Sequence, residues 1–430
     1  MRRKIESRIM RWKNNTEDRK PLLMYGARQV GKTYILNSFG EKHYKNTVYI
    51  NLETNLAVAR YFNDDINPER LLRFLEASAN DVINPGETLV IFDEIQSCER
   101  ALTSLKYFCE NAPEYHVAAA GSLLGVAIKR ERYSFPVGKV ESVTLFPLDF
   151  EEYLWALNEG RLADEIRRCY LHMEPMPDPL HQKAVELYRS YLIVGGMPAC
   201  VAAYAKNGKT VLIPDIQNEI ANNYVADMAK YASNEEAVKI RACYDSIPAQ
   251  LAKENKKFQY KVVQRGGSAS LFGASIDWLI QAGVILKCKK ISHALNPIAV
   301  YDDLSSYKLY FNDVGLLSMR SGIPQQTILS GESNLFMGSV AENYIAQALA
   351  ANGYPLFYWA SDYTAEVDFV VQKETGVIGI EVKKGIKTRS KSLSVFTQKY
   401  LPLYSIRFSE KNFGQEGSIH AIPHYAAFCF

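Results

Sequence analysis

Residues 26 to 33 read Gly26-Ala27-Arg28-Gln29-Val30-Gly31-Lys32-Thr33, the G-x-x-x-x-G-K-[ST] spacing of a phosphate-binding loop. Glycines let backbone amides converge on phosphate oxygens, and a helix starting at the loop adds the positive end of its dipole. The whole stretch is therefore assigned to nucleotide binding. Within it, Lys32 is placed to reach the β- and γ-phosphates and Thr33 to hold Mg2+. Further on, the apolar run Leu89-Val-Ile-Phe92 ends in Asp93 and Glu94. Asp93 sits where a carboxylate behind Mg2+ is needed, and Glu94 can polarise an attacking water, which points to hydrolysis. Glu94 and Lys32 are the first catalytic candidates. Ser122, after the next apolar run, is a third: its hydroxyl is placed to sense the γ-phosphate or position the water, with an ordinary Gly-Ser turn as the alternative. Gln96, Arg28, Lys129, Arg130, Arg132 and Lys139 are candidates for neutralising transition-state charge.

These groups need a scaffold. Brief apolar runs at 22–25, 47–52, 89–92 and 116–120 alternate with stretches of helical length and spacing at 68–80 and 99–111. Short apolar strands alternating with helices predict an α/β core with a parallel sheet covered on both faces, assigned to residues 1–149. Residues 150–205 lose the strand signal and predict a helical lid. Residues 206–325 are mostly helical. Within them, helices at 258–263 and 270–282 and a strand at 283–291 suit a winged-helix unit. After a polar linker, residues 335–430 carry a helix at 338–352 and strands at 355–359, 365–372 and 377–382.

The bulk numbers agree with several soluble units. A chain of 430 residues suggests roughly three domains. Hydrophobic residues at 47% and charged residues at 23% exclude a disordered or fibrous protein. The net charge of +3 restricts any nucleic-acid surface to a local patch. Seven scattered cysteines without a C-x-x-C pair argue against a disulfide framework or structural zinc. No apolar run approaches the roughly 20 residues a bilayer span requires, so no membrane partner is expected and a cytoplasmic location is.

The C-terminal part holds a second constellation: Glu342 on a helix, Asp368 on one strand, and Glu381 with Lys383 on the next. A symmetric hairpin across the intervening loop sets Asp368 opposite Glu381, and period-two alternation puts Lys383 on the same face. Two carboxylates and a lysine so placed suit a second divalent metal. The pattern resembles the PD-(D/E)xK nuclease signature; a cross-strand acid pair relieved by lysines is the alternative. Lys253, Lys256, Lys257, Lys261 and Arg265 precede the second helix of the winged-helix unit, which leaves DNA contact and mere packing both open.

With Gly26–Thr33, Asp93-Glu94-Ile-Gln96 and Gly121-Ser122 in hand, the chain resembles the bacterial and archaeal AAA+-type ATPases that carry the C-terminal domain of unknown function 4143. The stretches 138–153, 191–198 (Tyr-Leu-Ile-Val-Gly-Gly-Met-Pro), 308–313 (Lys-Leu-Tyr-Phe-Asn-Asp) and 338–342 (Gly-Ser-Val-Ala-Glu) agree with it. The resemblance covers nearly the whole chain. It implies an AAA+ (ASCE) P-loop sheet with a helical lid, then a winged-helix region, then an α/β nuclease-like domain, with ATP and Mg2+ as ligands. Lys139 departs from the arginine expected of the family, which weakens a finger role there, since lysine does not fork onto phosphate. The leading expectation is an Mg-dependent ATPase coupled to the nuclease-like domain, with DNA and a homo-oligomer left open as partners. An ATP-gated nuclease and a non-enzymatic, ATP-switched interaction protein are the alternatives.

Overall fold

The computed structural model describes residues 1–122, 136–332, 334–361, 365–374, 376–385 and 391–430. The chain forms two compact units, one of residues 2–146 with 281–283 and the other of residues 147–280 and 284–430. Among the described residues, no helix is long and apolar enough to cross a membrane.

The first unit is built on a five-stranded parallel sheet. Its strands are β1 (Leu22–Tyr25), β2 (Asn46–Asn51), β3 (Thr88–Asp93), β4 (His116–Ala120) and β5 (Glu141–Thr144), ordered β2-β3-β4-β1-β5. Every position of β3 and β4 is buried, which is why both read as unbroken apolar runs. Helices cover the faces. Phe92 of β3 meets Phe62 edge-on at 5.4 Å and Phe108 at 6.2 Å, between helices Leu56–Asp64 and Glu99–Asn111. The helix Pro68–Ala79 starts where expected because the Asn67 side chain caps it and Pro68 opens it. Placing β4 between β1 and β3 is the strand order of the ASCE class of P-loop proteins, so the expected fold class holds. The sequence showed four of the five strands; β5 is an edge strand with only Val143 buried and carries no apolar run.

In the second unit, helices precede a sheet of eight strands. These are β6 (Ile285–Ile291), β7 (Asp302–Phe311), β8 (Phe357–Ala360), β9 (Glu366–Lys373), β10 (Gly376–Val382), β11 (Ser405–Ser409), β12 (Gly414–Glu416) and β13 (Ile419–Pro423). Their order is β12-β13-β11-β10-β9-β8-β6-β7. Helices Asn234–Leu251, Tyr260–Val263 and Ala269–Gln281 lead into the antiparallel pair β6–β7, which continues the C-terminal sheet through parallel pairing of β6 with β8.

Three of the motif-like stretches meet in this unit. Asp313 accepts hydrogen bonds from the Gly196 N–H at 2.6 Å and the Leu316 N–H at 2.9 Å. The Leu148 N–H donates to the Gly196 carbonyl at 2.7 Å, and the Tyr191 hydroxyl donates to the Leu148 carbonyl at 2.6 Å. A Cβ at Gly195, whose φ is +70°, would stand 2.3 Å from the Asp313 carboxylate, and one at Gly196 would stand 2.0 Å from the Leu148 carbonyl oxygen. Only glycine fits either position.

Candidate nucleotide-binding site

The chain leaves β1 at Tyr25, turns through residues 26–31 and enters the helix Lys32–His43. Gly26 adopts φ +142°, and a Cβ there would lie 2.3 Å from the Leu145 carbonyl oxygen. Gly31, at φ 95°, sits at the helix N-terminus. The helix N-terminus, with the positive end of its dipole, therefore opens on the loop, as an anion site requires. The Lys32 ammonium is folded back over the loop, donating to the carbonyls of Gly26 at 2.9 Å and Ala27 at 2.8 Å. Arg28 and Gln29 are exposed at the crown of the loop.

β3 delivers Asp93 to the same place. The Thr33 hydroxyl donates to Asp93 Oδ2 at 2.7 Å, so residues 60 apart in sequence share a contact. Asp93 is buried, and its Oδ1 accepts the Glu94 N–H at 3.0 Å. Glu94 stands in the left-handed region at φ 50°, an uncommon place for a side chain of its size. Its carboxylate accepts a hydrogen bond from the Gln96 amide. Ser122 is buried just past β4, and the Gly121 N–H donates to the Met24 carbonyl at 3.3 Å, which holds this turn beside the end of β1.

Two contributors were not read from the sequence. The Tyr49 hydroxyl of β2 donates to Asp93 Oδ2 at 2.8 Å, and burial followed by that carboxylate pushes the phenol up to about 12. The buried Arg3 guanidinium donates to the Val30 carbonyl at 3.1 Å and the Phe146 carbonyl at 2.7 Å, bracing the loop from behind. Strand adjacency was the available signal for Tyr49, since β2 pairs with β3 and Ile91 lies opposite it. Arg3 had none, because nothing in Met1-Arg2-Arg3-Lys4 separates one cation from its neighbours. Lys139 lies 3.0 Å from Glu110 in an ion pair. Lys129, Arg130 and Arg132 lie outside the described residues.

In the C-terminal domain, β9 and β10 pair with Ile380 opposite Phe369, the register expected for the hairpin. Opposite β8, Val367 pairs with Trp359 and Val370 with Phe357, so Asp368 and Phe369 share one partner position. That bulge lies in the pairing of β8 with β9, while the β9–β10 register is unbroken. Asp368 accepts the Val382 N–H at 2.8 Å and lies by Glu342 and Lys308. Burial and the nearby Glu342 raise its carboxyl to about 7. Glu381, buried, pairs with Lys383 at 2.6 Å. Among the described residues, no group of three or more His, Cys, Asp or Glu side chains is arranged to hold a metal ion. Glu342 is buried and held down at about 2, because Lys256 and Lys308 outweigh its desolvation. Lysines of the expected DNA-facing region are engaged too: Lys253 donates to Gln259 Oε1 at 2.9 Å, and Lys256 to Glu342. On the β6–β7 hairpin, Lys290 pairs with Asp303 at 2.8 Å, and Lys289 pairs with Asp302.

The strand order and the loop-to-carboxylate contact define an AAA-type P-loop protein. Residues 18–154 match the family described as AAA domain, residues 185–327 a domain of unknown function (DUF8612), and residues 337–426 the domain of unknown function DUF4143. The chain thus carries a match to an AAA domain in its first third and a match to DUF4143 near its C-terminal end. No curated protein matches it. Solved structures similar to it include the Walker-type ATPase PABY2304 of Pyrococcus abyssi, at 15% identity over 74% of this chain and 95% of that one, with a TM-score of 0.46. The Aeropyrum pernix ORC2 protein is 12% identical over 79% of this chain and 94% of its own, with a TM-score of 0.35. AMPPCP-bound DnaA from Aquifex aeolicus is 13% identical over 64% and 86%, with a TM-score of 0.30.

Proposed function

We propose that the first unit binds ATP with Mg2+ at the Gly26–Thr33 loop and hydrolyses it. The contact between Thr33 and Asp93 carries this reading, because it sets a hydroxyl and a carboxylate, both hard oxygen donors, beside a helix N-terminus. The residues present fit both groups: the loop has no room for a Cβ at Gly26, and Lys32 supplies an ammonium at the loop's centre.

In this reading the loop amides and Lys32 take the β- and γ-phosphates, with Lys32 exchanging its bonds to the Gly26 and Ala27 carbonyls for phosphate oxygens. Thr33 and Asp93 would hold Mg2+, which when bound supplies neutralisation of phosphate charge. Glu94 orients a water and accepts its proton as the water oxygen bonds to the γ-phosphorus. The bond from that phosphorus to the β,γ-bridging oxygen breaks, and the electron pair leaves on ADP. Gln96, now on the Glu94 carboxylate, sets where that carboxylate points. Ser122 stands at the end of the adjacent strand to sense the γ-phosphate.

The test is ATP turnover with Mg2+ by wild type, Lys32→Ala and Glu94→Gln. A fall of roughly a hundredfold or more in each variant is expected from the loss of a phosphate clamp or a general base. Equal rates in all three contradict hydrolysis at this site. Tight nucleotide binding by wild type without turnover favours an ATP-switched interaction protein instead.

A further inference from the structure

A nuclease-like domain implies a divalent metal among Glu342, Asp368 and Glu381, and the donor set does not fit one. Both oxygens of Glu342 are engaged, Oε2 by Lys256 and Oε1 by Lys308 at 3.2 Å and by the Tyr310 hydroxyl. Lys308, at 0% exposure, also lies 2.7 Å from Glu366 Oε1, and Asp368 spends an oxygen on the Val382 N–H. An ammonium that must be desolvated completely stays charged only where acids surround it. Glu342, Glu366 and Asp368 do so here, and they raise the Lys308 pKa despite burial.

We propose that Lys308 is the resident cation of the C-terminal acid cluster, occupying the role a divalent metal plays in a nuclease. The cluster then works as a buried ionic joint. It ties β7, which carries Lys308, to the helix Met337–Ala351 through Glu342 and to β9 through Glu366, while Lys256 closes it from the loop after the helix Asn234–Leu251. Sequence spacing cannot reveal this, since Lys308 lies 34 positions from Glu342 and on a strand assigned to another region. The inference does not depend on the ATPase reading.

Its test uses the full chain without nucleotide. Mn2+ titration, counted by electron paramagnetic resonance up to about millimolar metal, compares wild type with Asp368→Asn and Glu342→Gln. Identical stoichiometry in all three is expected; an ion bound by wild type and lost in Asp368→Asn overturns the proposal. Thermal unfolding supplies an independent arm. Lys308→Met should lower Tm by several degrees, because it strands buried carboxylate charge, and Lys308→Met with Glu342→Gln should recover part of that loss. A Lys308→Met protein melting with wild type also overturns it, and should that variant fail to fold, the Mn2+ comparison decides alone.

Discussion

The hydroxyls of Tyr49 and Thr33 donate to the same oxygen of Asp93, at 2.8 and 2.7 Å. Two donors on one carboxylate oxygen fix its direction, so Tyr49 positions the carboxylate that we propose holds Mg2+. Tyr49→Phe keeps the ring and removes one hydrogen bond, worth about 1 kcal/mol. A roughly fivefold fall in kcat and a rise in the Mg2+ concentration needed for half-maximal rate are expected, with KM for ATP little changed. Steady-state turnover across a Mg2+ series checks both; a purely structural tyrosine would lower Tm and leave the Mg2+ dependence in place.

Gly26→Ala should abolish nucleotide binding. The substitution meets a left-handed-side φ of +142° and the Leu145 carbonyl oxygen 2.3 Å away, so the loop must shift. Strain of about 1–3 kcal/mol is expected, seen as a lower urea midpoint together with loss of fluorescent nucleotide binding.

Arg3 braces the loop through its forked guanidinium, one nitrogen to Val30 and the other to Phe146. Arg3→Ala should weaken ATP binding tenfold or so, and Arg3→Lys should not rescue it, because an ammonium cannot span the two carbonyls in parallel. Full rescue by lysine would mean that charge, not the fork, matters.

Asp313 gives a pH dependence of defined sign. Burial raises its carboxyl from 3.8 to about 6 in spite of the N–H donors of Gly196, Leu316 and Gly315. The folded state thus holds this proton more tightly than the unfolded state, so its contribution to stability is full below pH 3.8 and is lost as pH rises through about 6. Relative to Asp313→Asn, wild type should lose on the order of 2 kcal/mol between pH 4 and 7. Parallel urea titrations of the two proteins across that range check it; a constant difference contradicts the raised pKa.

How much of this was legible in the sequence follows from distance along the chain and from pattern purity. The loop and Asp93 are local signals with strict spacing. Strands β3 and β4 are buried at every position, so their apolar runs are unambiguous. β5, half-exposed at the sheet edge, is not. The β9–β10 register was readable because the hairpin is symmetric, whereas the bulge at Asp368 is set by pairing with β8, which no local pattern encodes. Lys308 illustrates the limit. A lysine in a strand reads as solvent-facing, and only the fold brings Glu342 and Glu366 to keep it charged in the interior.

Calorimetric titration of Mg-ATP into folded wild type and Lys32→Ala tests the central claim most directly. The account predicts saturable binding by wild type with one site per chain, and heat reduced to dilution level in Lys32→Ala. Absence of binding heat in wild type at several temperatures, or undiminished affinity in Lys32→Ala, contradicts it.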